Sequence, residues 1–376
     1  MREEIIKYMK RAMELAEKGR GFVNPNPLVG AVIVKNGKII GEGFHQKYGD
    51  NHAEINAFKD MKNKGYSSEN ADIYVTLEPC SHYGKTPPCV DAIIESDIRR
   101  VFIGLKDPNP LVSGRGIKKL KENGLEVETG ILKKELEKQN EVFLNYIVNK
   151  KPFCIMKTAM SLDGKIATHN GDSKWISNEK SRKYVHKLRH SLMGIMVGVN
   201  TIIKDDPRLN TRLDSSSSDT IKIIVDSTGR IPLNSKVLNS NSDKDIIIAS
   251  TERLDKKVEK ELLDRGIIII KTDSKDGRVN LNELMIRLGE RKIDSILLEG
   301  GGSLNYSALE SGIVDKVESF ISPKIIGGRD SLTPVEGRGI DYIKEAFILN
   351  GIEIEHFDDD ILIKGYLDNS YRENRK

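Results

Sequence analysis

Apolar residues near the start of the chain recur at Ile5, Met9, Ala12, Met13 and Ala16, which predicts an amphipathic helix over residues 3–18. Two apolar runs, Leu28 to Val34 and Lys38 to Phe44, flank Asn36-Gly37, a pair that tolerates positive φ at both turn positions and so predicts a hairpin. The pattern then alternates. It predicts a helix from about His52 to Lys62, a strand Ile73 to Leu77, a helix Cys89 to Ser96 and a strand Val101 to Leu105. A helix Gly116 to Asn123, a strand Leu125 to Thr129 and one longer helix Lys133 to Val148 complete this series. Strands alternating with helices indicate an α/β layered domain.

Asn149-Lys150-Lys151-Pro152 is polar and ends in proline, and it places a domain boundary between residues 1–148 and 152–370. A second series follows, with strand Phe153 to Ala159, helix Glu179 to Leu192 and strand Gly194 to Val199. Strands Ile221 to Val225, Ile246 to Ala249 and Ile267 to Ile270 come next. Helix Leu281 to Leu288 and strand Ser295 to Leu298 lead into a glycine loop and a further helix, while Ser215 to Ser218 reads as a surface loop.

A length of 376 residues suits two such domains, and a net charge of +4 is too small for an extended nucleic-acid surface. No apolar stretch approaches the roughly 18 residues of a membrane span, and the acidic N-terminus does not read as a signal peptide. Three cysteines imply no disulfide framework, so the expectation is a cytoplasmic protein with no membrane or nucleic-acid partner. Whether it self-associates is left open.

The chemistry concentrates in His52-Ala53-Glu54 and in Pro79-Cys80 through Cys89. A catalytic zinc site takes three protein ligands and leaves one position for water; His52, Cys80 and Cys89 supply three. Glu54 is poorly placed to share the metal but near enough to move protons for its water. His-x-Glu followed by Pro-Cys is the signature of zinc deaminases, in which the glutamate is general acid and base rather than ligand. A structural zinc site is the plain alternative; it would need a fourth ligand, and His82 in the middle of the loop is the candidate.

Eight residues separate the two cysteines, where nucleoside and tRNA deaminases typically show two. Here the chain resembles the bifunctional deaminase/reductases of riboflavin biosynthesis. The resemblance is carried by Asn24-Pro25-Asn26-Pro27-Leu28-Val29-Gly30, Gly43-Phe44-His45, His52-Ala53-Glu54, Glu78 through Cys89 and Asp107-Pro108-Asn109-Pro110. It implies that His52, Cys80 and Cys89 bind one zinc ion and that Glu54 is the proton donor and acceptor. The enlarged loop then suits a ribose phosphate, with Lys85 as a point charge and His82 as a donor to the phosphate. Asn26 and His45 would face the pyrimidine edge, and Asp107 and Asn109 the ribose. For Asp-Pro-Asn-Pro, simple turn chemistry is an equal reading.

The second half resembles the reductases of the same family, which share a dihydrofolate-reductase-like fold. The matching segments are Phe153 to Met160 running into Ser161-Leu162-Asp163-Gly164-Lys165-Ile166-Ala167, Ser173-Lys174-Trp175-Ile176-Ser177, Leu188-Arg189-His190 and Gly198-Val199-Asn200-Thr201. Asp205-Asp206-Pro207-Arg208-Leu209-Asn210-Thr211-Arg212 and Leu298-Glu299-Gly300-Gly301-Gly302-Ser303-Leu304 complete the set. Three glycines between a strand and a helix let backbone approach a diphosphate, although a tight turn explains them equally well. The resemblance implies NADPH against Ala159, Trp175, Thr201, Asp205, Ser227 and Gly301, Gly302, Ser303, Leu304, Asn305, Tyr306 and Ser307. It implies substrate against Ser173, Arg189, Leu209, Arg212 and Glu299. Arg189 and Arg212 suit a phosphate through their planar forks, with a surface ion pair as the alternative for either. Trp175 is the only tryptophan, and a core position is its alternative. Cys154, on an apolar strand, reads as inert packing.

The expected architecture is therefore α/β, a cytidine-deaminase-like three-layer domain followed by a dihydrofolate-reductase-like domain. The expected activity is deamination of 2,5-diamino-6-ribosylamino-4(3H)-pyrimidinone 5′-phosphate, then reduction of its ribosyl chain to ribityl. The substrates are small pyrimidine ribose phosphates. A nucleotide or tRNA deaminase with an unrelated appended domain is the rival enzyme reading. A nucleic-acid module built on structural zinc is the rival from another class, and the scattered aromatics, 6% of the chain, speak against it.

Overall fold

The computed structural model describes residues 2–81, 83, 87–109, 113–213, 219–240 and 243–367. The chain divides into two compact units, Met1–Asn149 and Lys150–Lys376. Among the described residues, no helix is long and apolar enough to cross a membrane. Cys80, Cys89 and Cys154 form no disulfide.

The first unit opens with α1 (Arg2–Glu17), then the hairpin β1 (Gly30–Lys35) and β2 (Lys38–Phe44). Asn36 and Gly37 take φ of 50° and 74°, the two left-handed positions that this tight turn requires. α2 (Ala53–Asn63), β3 (Asp72–Leu77), α3 (Cys89–Ile94), β4 (Arg100–Leu105), α4 (Arg115–Glu122) and β5 (Glu126–Thr129) follow. The sheet runs β2-β1-β3-β4-β5, antiparallel through β3 and parallel beyond it. Side chains alternate across a strand, so this sheet has two cores. Ile33, Ile73, Val75, Val101 and Ile103 pack with residues of α2, α3 and α4 on one face. Val32, Tyr74, Phe102 and Leu105 pack with residues of α1 on the other. That makes three layers.

Close packing of α2 depends on Gly43 in β2, where an added Cβ would stand 2.3 Å from the Ala53 carbonyl oxygen. The helix that begins beside His52 is thereby pressed onto the sheet.

One expectation is corrected. Residues 133–148 form two helices, α5 (Lys133–Gln139) and α6 (Glu141–Asn149), broken at Asn140. The cause is a buried tertiary contact: the Asn140 amide accepts from Leu28 N at 2.8 Å and donates to Leu28 O at 3.1 Å. Helical periodicity carries no trace of it. Replacing Asn140 with alanine strands two buried backbone groups and should lower the unfolding free energy of this unit by about 2–4 kcal/mol, measured by urea denaturation. A loss below about 0.5 kcal/mol would show that Asn140 does not bear the break.

The second unit contains β6 (Phe153–Ser161), α7 (Glu179–Ser191), β7 (Gly194–Gly198), α8 (Val199–Asp205), β8 (Ile221–Val225), β9 (Ile246–Ser250) and α9 (Lys256–Asp264). β10 (Ile268–Lys271), a small hairpin β11 (Ser274–Lys275) and β12 (Arg278–Val279), α10 (Leu281–Glu290), β13 (Ser295–Leu298) and α11 (Gly302–Glu310) come next. β14 (Lys316–Ser322), β15 (Leu349–Phe357) and β16 (Asp360–Leu367) close the fold. Nine strands form one sheet in the order β10-β9-β8-β7-β13-β6-β14-β16-β15. All neighbours from β10 to β14 are parallel, and the last two strands are antiparallel. α8 and α9 are absent from the expected elements. α8 continues directly from an apolar strand, so no polar break marks its start, whereas α9 does carry a short apolar stripe, Leu262 in the core with Val258 packed beside it one turn earlier.

Candidate functional sites

Three ligand atoms converge in the first unit. His52 is the N-cap of α2, Cys89 is the first residue of α3, and Cys80 lies in the loop after β3. His52 Nδ1 stands 3.5 Å from Cys80 Sγ and 3.3 Å from Cys89 Sγ, and all three donor atoms lie within 4.8 Å of one another. Zinc bonds of about 2.3 Å to sulfur and 2.05 Å to nitrogen at the tetrahedral angle require about 3.5 Å between such atoms. The donor set fits zinc in chemistry and in spacing.

Glu54, in the first turn of α2, is 3% exposed. Burial, then the neighbouring Cys80 charge, push its carboxyl up to about 7. Cys80 is the thiol that ionises first, drawn down by the Cys89 thiol against the opposing effect of burial, with His52 and the Cys89 backbone N–H assisting. Cys80 and burial hold the Cys89 proton on.

His45 is buried and both of its ring nitrogens are engaged. Nδ1 lies 3.1 Å from the Asn51 carbonyl oxygen, so it carries the proton, and Nε2 accepts from Asn26 Nδ2 at 3.1 Å. Burial keeps the ring neutral. His45 therefore orients the Asn26 amide through Nε2. Asp107 Oδ1 accepts from Asn109 N at 2.8 Å, so the turn chemistry of Asp-Pro-Asn-Pro is present. His82 and Lys85 lie outside the described residues.

In the second unit, polar groups gather where the central parallel strands end, the edge of an open α/β sheet at which ligands bind. Glu299, just past β13, accepts from Arg189 Nε at 2.7 Å and Nη2 at 3.0 Å, and pairs with Lys157 Nζ at 3.0 Å. Burial would raise the Glu299 carboxyl, but Arg189 and Lys157 outweigh it and hold it well below the usual carboxylate range. Arg189 Nη1 also donates to the Asn210 carbonyl oxygen at 3.2 Å. The Arg189 fork is thus turned onto Glu299 rather than presented to a phosphate, and the ion pair is mostly buried, at 16% and 12% exposure, instead of lying at the surface. Arg212 is exposed and has no carboxylate partner among the described residues, and its backbone N–H donates to His186 Nδ1 at 3.2 Å. Burial, Arg189 and Arg212 push His186 down to about 4, so it is a neutral acceptor for that loop.

Leu209 is 6% exposed and its side chain packs into the core with Val197 and Ile202. Trp175 is 61% exposed, which removes the core reading, and the Arg182 guanidinium lies 4.6 Å from its ring centre. The glycine run divides its labour. A Cβ at Gly302 would stand 2.4 Å from Glu336, whereas at Gly301, the N-cap of α11, it would meet nothing within 4 Å. The backbone is packed on one side and open on the other. Asn305 is buried, donating to the Gly300 and Pro334 carbonyls, and the Tyr306 hydroxyl donates to the Gly339 carbonyl. Both side chains secure the loop. Ser227 Oγ accepts from Val279 N at 3.2 Å beyond β8. Ala159 lies on β6 and Ser173 in the loop after it, while Thr201 and Asp205 lie on α8.

Residues 2–105 match the family model of the cytidine and deoxycytidylate deaminase zinc-binding region, and residues 152–363 match the RibD C-terminal domain. The riboflavin biosynthesis protein RibD of Actinobacillus pleuropneumoniae is 46% identical, over 95% of this chain and 94% of its own length. That of Aquifex aeolicus is 41% identical, over 96% and 98%. The chain belongs to the RibD family. A solved deaminase/reductase of Thermotoga maritima matches with a TM-score of 0.86 at 38% identity, covering 98% of this chain and 99% of that one. Acinetobacter baumannii RibD matches with a TM-score of 0.87 at 32% identity, covering 98% and 100%.

Membership makes the chain a bifunctional protein of riboflavin biosynthesis, with a cytidine-deaminase-like domain followed by a dihydrofolate-reductase-like reductase domain. The match of the second half to the RibD C-terminal domain removes the reading of an unrelated appendage. Two residues of the reductase cluster, Lys157 and His186, escape the sequence reading. Each left a signal: Lys157 is the one charge within a mostly apolar parallel strand, and His186 precedes Arg189 by one helical turn on the same face.

Proposed function

We propose that the first unit binds one zinc ion through His52 Nδ1, Cys80 Sγ and Cys89 Sγ and hydrolyses the 2-amino group of 2,5-diamino-6-ribosylamino-4(3H)-pyrimidinone 5′-phosphate. The observation that carries this reading is the convergence of those three atoms, with the spacing of a tetrahedral site, in a chain of this family. Bound there, zinc supplies a water acidic enough to lose a proton near neutrality. Glu54 would take one proton of that water and pass it to the ring nitrogen, then carry the second, from the added oxygen, to the departing amine. Water oxygen replaces nitrogen on the ring carbon, and ammonia leaves. Asn26, oriented by His45, meets the ring; Asp107 and Asn109 meet the ribose; Lys85 and His82 serve the phosphate.

The second unit reduces the deaminated product with NADPH. Bound there, NADPH would supply a hydride to the carbonyl carbon of the open ribosyl chain, and a proton from water would complete the ribityl hydroxyl. Gly301 to Ser307 hold the diphosphate against the start of α11, with Ala159, Trp175, Thr201, Asp205 and Ser227 along the cofactor. Ser173, Arg189, Leu209, Arg212 and Glu299 hold the substrate, with Arg212, whose Nε donates to Asn210 Oδ1 at 3.3 Å, offering its two Nη groups to an oxyanion. The three unbridged cysteines are consistent with the reducing cytosol.

Incubating the purified chain with the diaminopyrimidine ribose phosphate tests both halves at once. Ammonia should appear without NADPH, and NADPH should be oxidised only after deamination. NADPH oxidation that outruns ammonia release, or metal analysis finding no zinc, would overturn the scheme.

A further inference from the structure

Glu78, at the end of β3 and two residues before Cys80, is 4% exposed. A carboxylate so buried ordinarily faces a cation. Among the described residues Glu78 faces none; its charge is met by four backbone N–H groups. Oε2 accepts from Asp107 N at 3.1 Å and Gly114 N at 3.0 Å. Oε1 accepts from Gly116 N at 3.0 Å and Ile117 N at 3.2 Å. Gly116 and Ile117 belong to the first turn of α4, whose N–H groups have no partner inside the helix. Asp107 and Gly114 bracket the segment that carries Asn109. At Gly116 an added Cβ would stand 2.4 Å from the Pro79 carbonyl oxygen, so the helix approaches Glu78-Pro79 this closely only because that residue is glycine.

One side chain thus ties together the strand end leading to Cys80, the start of the Asp107 turn and the head of α4. Asp107 passes the restraint on, since its own carboxylate holds Asn109 N. We propose that Glu78 is a positioning residue of the deaminase, fixing the segment that recognises the sugar hydroxyls of the substrate against the loop that carries Cys80. The inference rests on the proposed reading of Asp107 and Asn109 as ribose contacts. The site needs a carboxylate because it needs two acceptor oxygens. Glutamine keeps the shape, but it turns an NH2 group onto two N–H donors.

The test uses the full chain carrying Glu78→Gln, with Glu78→Asp, which keeps both oxygens on a shorter arm, as second variant. Glu78→Gln should retain one zinc per chain and normal reductase turnover on supplied deaminated substrate. Its deaminase KM for the pyrimidine ribose phosphate should rise about tenfold or more, with kcat changed less than about threefold. Glu78→Asp should fall between this variant and the parent chain. Combined with Asn109→Ala, the effects on KM should be less than multiplicative, because both act on one contact. An unchanged KM, zinc loss in step with activity, or fully multiplicative effects would overturn the positioning role. If Asn109→Ala alone leaves KM unchanged, it is the ribose reading of Asn109 that fails, and Asp107→Ala takes its place in the cycle.

Discussion

Glu54→Gln is expected to leave a folded, zinc-loaded chain that releases almost no ammonia. The amide matches the carboxylate in size, and Glu54 is not among the three convergent donors, so metal content should stay at one per chain. What disappears is the group that accepts a proton from water and hands it to the leaving nitrogen. General acid–base catalysis of this kind contributes on the order of 10²–10⁴-fold, and deamination should fall by that factor. Reductase turnover on supplied deaminated substrate is the internal control. Deamination within a few-fold of the parent rate would remove Glu54 from the proton path.

The second large effect is expected at Glu299. Glu299→Leu leaves the mostly buried Lys157 and Arg189 without their counter-charge, a change that costs about 3–5 kcal/mol where one member of a buried pair is removed. In a unit of this size the melting temperature should drop by about 10 °C. Trp175, the only tryptophan, lies in the second unit, so its fluorescence follows that unit's unfolding alone. Reduction of the ribosyl substrate should be lost as well. Replacing Lys157 and Arg189 with methionine in the same chain should restore much of the stability and none of the activity. If the triple variant is no more stable than Glu299→Leu, packing rather than unpaired charge sets the cost. Because Glu299 is held well below the usual carboxylate range, its pairing contributes in full above the unfolded-state value near 4.3. It fades only as pH falls from there through the folded-state value.

Much of the deaminase site was legible because its signals are local. His52 and Glu54 are two residues apart at a helix start, and Asn36-Gly37 states its turn in two letters. The role of His45 was not legible in the same way. The resemblance implies that it faces a pyrimidine edge, but that both nitrogens are taken up by Asn51 and Asn26 depends on how two loops meet. The Arg189 fork turned onto Glu299 is a similar case, since 110 positions separate the two residues.

Sequence alone determined the two α/β units, the three metal-binding candidates and the candidate proton carrier beside them, because periodicity and short motifs express backbone geometry within a few residues. Only the tertiary structure decided which charges meet. Asn140 breaks a helix to hold Leu28, Glu78 gathers four amides, and Lys157 joins Arg189 on Glu299. Each depends on burial, which makes an unpaired polar group costly and so selects its partner by position in space rather than along the chain.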